Sequence, residues 1–192
     1  MYLDMEEKKE EKYIDMSWPE FGVEYHWRNA KISTTLLTER GTVVEMVERP
    51  QWGMACYMNG EIQSCLFDEK IYHESLVHPA MISTFNPRRV LIVGGGEGST
   101  AREVLKWRSV ERVDMYEWDQ EVVELFRTSY PKWGNGVWDD PRLIIHCENI
   151  FDVIDEGPLN RYDVIIVDLF EPSYNVEEIM DNDMWILFHK LA

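Results

Sequence analysis

Apolar residues recur in two rhythms along this chain. From Ile32 to Gln63 they come in short runs, ISTTLLT, TVVEMVE and MACYM, punctuated by RG, RPQWG and NG. Runs of that length, rich in β-branched and aromatic residues and bounded by turn formers, predict the strands of a small antiparallel sheet. Asn59-Gly60 predicts its tightest hairpin, because a two-residue turn of that kind needs left-handed backbone at both positions. Between Asp68 and Phe85, Ile71, Leu76, Val77 and Met81 fall at helical spacing. The rhythm then changes. RRVLIVGGG, ERVDMYEWD, RLIIHCEN and RYDVIIVDLFEP are nearly continuous apolar runs, the kind that a parallel sheet buries on both faces. STAREVLKW and QEVVELFRTSYP read as the helices between the first three. The order is β-α-β-α, which predicts an α/β fold behind a β-rich region. The expected division is a charged leader over 1–16, an N-terminal β-rich domain over 17–67 and an α/β domain over 68–192.

Composition narrows the function classes. With 45% hydrophobic residues in 192, the chain can bury a core. Its 19 basic and 36 acidic residues leave a net charge of −17, which repels phosphate backbones and anionic lipid and gathers cations. Nucleic acid and membrane are therefore not expected partners. Three scattered cysteines, Cys56, Cys65 and Cys147, make neither a disulfide framework nor a paired metal site. The histidines form no HExxH or Cys/His cluster, and His73 and His78 face different ways on the predicted helix, so no metal is expected. The opening MYLDMEEKKEEKYIDM is charged where a secretory signal would be apolar, and no run of about 18 apolar residues follows. Cytoplasmic residence is the expectation.

The chemistry concentrates around Gly94-Gly95-Gly96-Glu97-Gly98-Ser99, which follows a predicted strand and opens a predicted helix. Gly94, Gly96 and Gly98 allow a tight turn and close approach of backbone to a ligand, as in a Rossmann-like site. About 20 residues on, Glu117 ends the next strand, where a carboxylate can accept both hydroxyls of a ribose. A dinucleotide would set its pyrophosphate at this helix N-terminus, but the Glu97 carboxylate would repel phosphate. It favours instead a nucleoside with a positive charge and no phosphate, such as S-adenosylmethionine or its decarboxylated relative. The plainer role for Glu97 is to complement the helix dipole. Glu148 lies just past the third strand, where such folds hydrogen-bond adenine, and Asp168 ends the fourth with Glu171 three residues on. Strand carboxyl ends near a switch in strand order are where open α/β sheets bind ligands.

In order along the chain, GEIQSCLFDEKIYHESLVHPA, NPRRVLIVGGGEGSTAREVLKW, YEWDQEVVE and YDVIIVDLFEP resemble the polyamine aminopropyltransferases, the spermidine, spermine and thermospermine synthases. GGGEGSTARE together with the approach to it looks most like the thermospermine branch. The resemblance implies a Rossmann-like sheet of the type found in S-adenosylmethionine-dependent methyltransferases. It also implies transfer of an aminopropyl group from decarboxylated S-adenosylmethionine, as co-substrate, to a polyamine, putrescine or spermidine, without a metal. On this resemblance Glu97 meets the aminopropyl ammonium, Glu117 the ribose and Glu148 the adenine. Asp168 is the base, and Gln63, Tyr72, His73 and Glu171 surround the amine. Glu148 and Glu171 stand where the family often has Asp, Gly41-Thr42 where it often has Tyr-Gln, and Asn149 where a glycine is common. Family members continue beyond this chain's end through further strands, so the sheet is expected to stop after its fourth strand. An unpaired fourth strand would favour self-association into a homo-oligomer. Two other activities fit parts of the pattern: a methyltransferase sharing the glycine loop and ribose acid, and a non-catalytic nucleoside-binding relative.

Overall fold

The computed structural model describes residues 12–18, 22–153, 161–169 and 182–192. Glu171 and Pro172 lie outside these residues, as do the first 11 of the expected leader. The chain divides into two compact units, Met1–Asp68 and Glu69–Ala192.

The first unit holds two antiparallel sheets. β1 (Lys12–Trp18) pairs with β2 (Val23–Arg28), and β3 (Lys31–Leu37), β4 (Val43–Arg49), β5 (Gly53–Met58) and β6 (Glu61–Cys65) form a four-stranded meander in chain order. β1 corrects the expected leader, since regular structure begins inside it at Lys12. Its ladder carries an irregularity between Ile14 and Met16, which breaks the two-residue alternation that would have betrayed a strand. The Asn59-Gly60 turn joins β5 to β6 with φ of 53° and 85°, and Asn59 Oδ1 accepts from Val43 N at 2.9 Å. Val47, Ala55, Tyr57 and Cys65 are the centre of this unit's core. Over Trp27, 4.4 Å from its ring centre, the buried Arg49 guanidinium donates to Cys65 Sγ.

The second unit is a parallel sheet with helices on both faces. Its elements are α1 (Glu69–Ser83), β7 (Arg89–Gly94), α2 (Ser99–Leu105), β8 (Arg112–Tyr116), α3 (Gln120–Thr128), β9 (Leu143–His146), α4 (Ile150–Val153), β10 (Val164–Asp168) and α5 (Asn182–Leu191). The strand runs are apolar throughout because successive side chains feed opposite cores. Val90, Ile92, Val113, Met115, Val164 and Ile166 pack with Val77 and Met81 of α1 and Ala101 and Val104 of α2. Leu91 and Val93 point the other way, against Ile150, Tyr162, Phe188 and Leu191.

The strand order is β10-β7-β8-β9. The chain thus leaves β7 toward one side and returns to its other side with β10, which ends the described order. That reversal places a switch point between the carboxyl ends of β7 and β10, where open sheets gape to admit ligands. At the opposite ends of the same strands, Asp163 Oδ2 accepts from the backbone N–H of Arg88 and of Arg89, both at 2.8 Å, and Asp163 N donates to Arg89 O. From there the register runs Val164↔Val90 to Asp168↔Gly94. No helix of the described residues is long and apolar enough to cross a membrane.

Candidate active site at the strand switch point

Each glycine of the loop after β7 has a steric reason. Gly94, Gly95 and Gly98 hold φ of 83°, 78° and 83°, a region that costs ordinary residues about 1–2 kcal/mol. A Cβ on Gly94 would sit 2.1 Å from the Asp168 carbonyl oxygen, one on Gly96 2.9 Å from Glu117 Oε2, and one on Gly98 2.6 Å from the Trp138 ring. The missing side chains let the loop lie directly on the ends of β8 and β10. Gly95 N donates to Asp168 O at 3.1 Å and Gly96 N to Glu117 Oε2 at 3.2 Å.

Strand ends then deliver the acids. Glu117 follows β8 and also accepts from Asp119 N, 3.1 Å from Oε1. Burial raises its pKa and Asp119 and Asp168 add repulsion, opposed by the two N–H groups. Asp119 itself is the N-cap of α3, accepting from Glu121 N and Val122 N. Asp168 closes β10 with Oδ2 accepting from Thr100 Oγ1 at 2.5 Å. Burial and the neighbouring Glu97 charge push the Asp168 carboxyl above its ordinary range, against the pull of Thr100 and His73. Two carboxylates so placed resist being charged together.

Glu97 faces a cationic side chain, that of His73. His73 Nε2 lies 2.8 Å from Glu97 Oε1, close enough for an ion pair yet off the line of a hydrogen bond. Oε1 therefore keeps an acceptor position without an aligned donor among the described residues. Burial works against a charged His73 ring, but Glu97, with Asp168 and the Glu69 carbonyl behind it, lifts its pKa from 6.5 to about 9. Tyr72 stands edge-on to the His73 ring with centroids 4.9 Å apart and is half exposed.

The second unit thus brings together Gly94, Gly96, Glu97, Gly98, Glu117, Asp168 and His73. Glu148 is exposed just past β9; its charge and that of Glu117 add to burial in raising the Cys147 thiol, so it borders the same acids. Gln63 belongs to the first unit, on β6, where Nε2 donates to Glu61 O. Sequence reasoning missed Thr100, Glu69 and Arg102. Glu69 and His73 are four residues apart on a helix, a spacing that sets side chains in reach of each other, so that signal was available. Arg102 reaches Glu69 from another helix, and no local pattern announces it.

The charged His73 ties stability to pH. A folded pKa near 9 against an ordinary 6.5 contributes stability that is complete below pH 6.5 and is lost as pH rises through 9. The raised Asp168 and Glu117 have the same sign at lower pH. Urea midpoints are expected to fall from pH 6.5 to 9, by at most about 3 kcal/mol of stability, and His73→Gln to flatten that slope. An equally steep slope in the variant would place its origin elsewhere.

Residues 69–190 match the spermine/spermidine synthase domain. Polyamine aminopropyltransferase 1 of Hyperthermus butylicus is 43% identical over 161 residues, covering 83% of this chain and 52% of its own length. The polyamine aminopropyltransferase of Pyrobaculum calidifontis is 44% identical over 129 residues, 66% of this chain and 45% of its own. The chain spans about half the length of these curated relatives. A solved spermidine synthase in complex with the transition-state analogue AdoDATO superposes with a TM-score of 0.85 at 28% identity, covering 96% of this chain and 62% of that one. The spermidine synthase of Thermotoga maritima gives 0.84 at 28%, covering 96% and 61%.

Proposed function

This chain belongs to the spermine/spermidine synthase domain family, and from that premise we propose that it carries the site for aminopropyl transfer from decarboxylated S-adenosylmethionine to a polyamine. The observation that carries this reading is the meeting of Glu97, Glu117 and Asp168 at the switch point, three carboxylates against a loop of bare backbone. No phosphate would settle there. A ribose with a sulfonium and an ammonium suits it, and so does a second, cationic substrate.

Each group then has a task. Glu117 accepts from the ribose hydroxyls and Glu148 from the adenine amino group, while Glu97 holds the ammonium of the aminopropyl arm. In the transfer, the amine nitrogen forms a bond to the methylene carbon beside sulfur. The carbon–sulfur bond breaks with its electron pair passing to sulfur, which leaves as the neutral thioether of methylthioadenosine. The nitrogen's surplus proton goes to Asp168. A carboxylate whose pKa is pushed up accepts a proton more readily than an ordinary one, and Asp168 is in that state. Fixing both cations between carboxylates supplies much of the remaining acceleration by orientation.

Titration with decarboxylated S-adenosylmethionine, S-adenosylmethionine and methylthioadenosine, followed by product analysis with putrescine and spermidine, tests the reading. Aminopropylated product is expected, and the acceptor used decides whether the thermospermine-like motif also sets specificity. Methylated product, or nucleoside binding without transfer, would overturn it. Glu97→Gln sharpens the test: decarboxylated S-adenosylmethionine should weaken by about 1.5–3 kcal/mol more than methylthioadenosine, because only the former brings an ammonium to this carboxylate. Equal losses would mean that the substitution disturbs the loop.

A further inference from the structure

Glu69 opens α1 and is buried. Arg102 of α2 grips its carboxylate with two prongs, Nη1 3.2 Å from Oε1 and Nη2 2.7 Å from Oε2. Arg102 is itself held by Glu103 at 2.9 Å and donates to the Trp133 carbonyl. Fixed from that side, Glu69 turns both its main chain and its side chain on one nitrogen of His73. Its carbonyl oxygen lies 2.6 Å from Nδ1 and its Oε2 3.3 Å from the same atom.

The proton positions follow from this geometry. A carbonyl oxygen can only accept, so Nδ1 carries a proton. Nε2 lies 2.8 Å from Glu97 Oε1, and a ring protonated on Nδ1 alone would leave an unprotonated nitrogen in repulsive contact with that carboxylate. Only the doubly protonated ring suits both neighbours. The charged groups around it are Glu69 on its own helix, Glu97 on the glycine loop and Asp168 at the end of β10, with the Tyr72 ring beside it.

We propose that Glu69 is a positioning residue for this site: clamped by Arg102, it fixes the His73 ring as a doubly protonated cation and delivers Nε2 to Glu97. The direction and charge that Glu97 presents to a substrate ammonium are thereby set from the first turn of α1, with Glu69 touching no substrate. What this does for transfer rests on the proposed function; the proton inventory does not.

Nitrogen NMR of the full chain labelled at histidine, without ligand, tests it. In the parent, both His73 ring nitrogens should stay protonated at neutral pH and titrate near 9. In Glu69→Gln, which keeps the carbonyl but removes the carboxylate charge 3.3 Å from Nδ1, the midpoint should fall by at least about one pH unit, a tenfold loss of proton affinity. Glu69→Asp keeps a charge for Arg102 but draws the carboxylate back. It should fall by about half a unit, and it carries the test if the Gln variant does not fold. A neutral His73 in the parent at neutral pH, or an unchanged midpoint in a folded variant, would overturn the proposal. These readings need no substrate, so a chain without transfer activity would defeat the functional reading alone. Where transfer is measured, the alkaline limb of kcat/KM should move with the His73 midpoint.

Discussion

Asp168→Asn is expected to lower turnover by about 10² or more, the usual scale for removing a general base, while affinity for decarboxylated S-adenosylmethionine stays within about threefold. The same substitution should stabilise the fold at neutral pH. Asp168 is held above its ordinary pKa by burial and by Glu97, so its charge opposes folding there, and an amide of the same shape removes that charge while still accepting from Thr100 Oγ1. Loss of activity with gain of stability is the mark of a group kept for chemistry rather than for folding. Denaturation and steady-state rates on one preparation decide the matter. Turnover within threefold of the parent would remove Asp168 from the mechanism, and a less stable variant would contradict the electrostatic account.

Gly94→Ala is expected to cost about 3 kcal/mol of stability, and with it the site. Two terms contribute: left-handed backbone, about 1–2 kcal/mol, and a methyl 2.1 Å from the Asp168 carbonyl, which must push β7 and β10 apart at their tips as in an overpacked core. Gly136 provides the comparison in the same unit, with φ of 91° and nothing within 4 Å of the place a methyl would take. Gly136→Ala should lose only the backbone term. Equal losses at both positions would show that the close approach of loop to strand end carries no energetic weight.

Much of this was legible in the sequence for identifiable reasons. VLIVG and VIIV read as strands because a sheet covered on both faces has no polar side, and Asn59-Gly60 reads as a hairpin because its backbone demands those residues. Glu117 and Asp168 can be placed because strand ends open onto loops. The order β10-β7-β8-β9 is a different kind of fact: β10 is the last strand in the chain yet pairs with the first of the sheet, and no local pattern encodes that pairing. β1 escapes notice because its irregular ladder spoils alternation. For His73 the sequence argues against metal binding and, through the resemblance, for a place beside the amine. Its ion pair with Glu97 is invisible locally, since the loop and helix meet only through the packing of α1 on α2. The carboxylate anticipated as a partner for a cationic ligand already has a cation opposite it.

The pair of N–H groups on Asp163 gives the sheet a zero mark. Five residue pairs separate that mark from the tip of β10, roughly 16 Å at the rise of a parallel strand. How far along the sheet the Asp168 carboxylate stands is therefore metered from the far rim. A slip of one residue along that ruler would turn Asp168 to the opposite face and bring a valine or a leucine to the mouth. The placement of Asp168 is thus kept by a solvent-facing carboxylate at the other end of the strand.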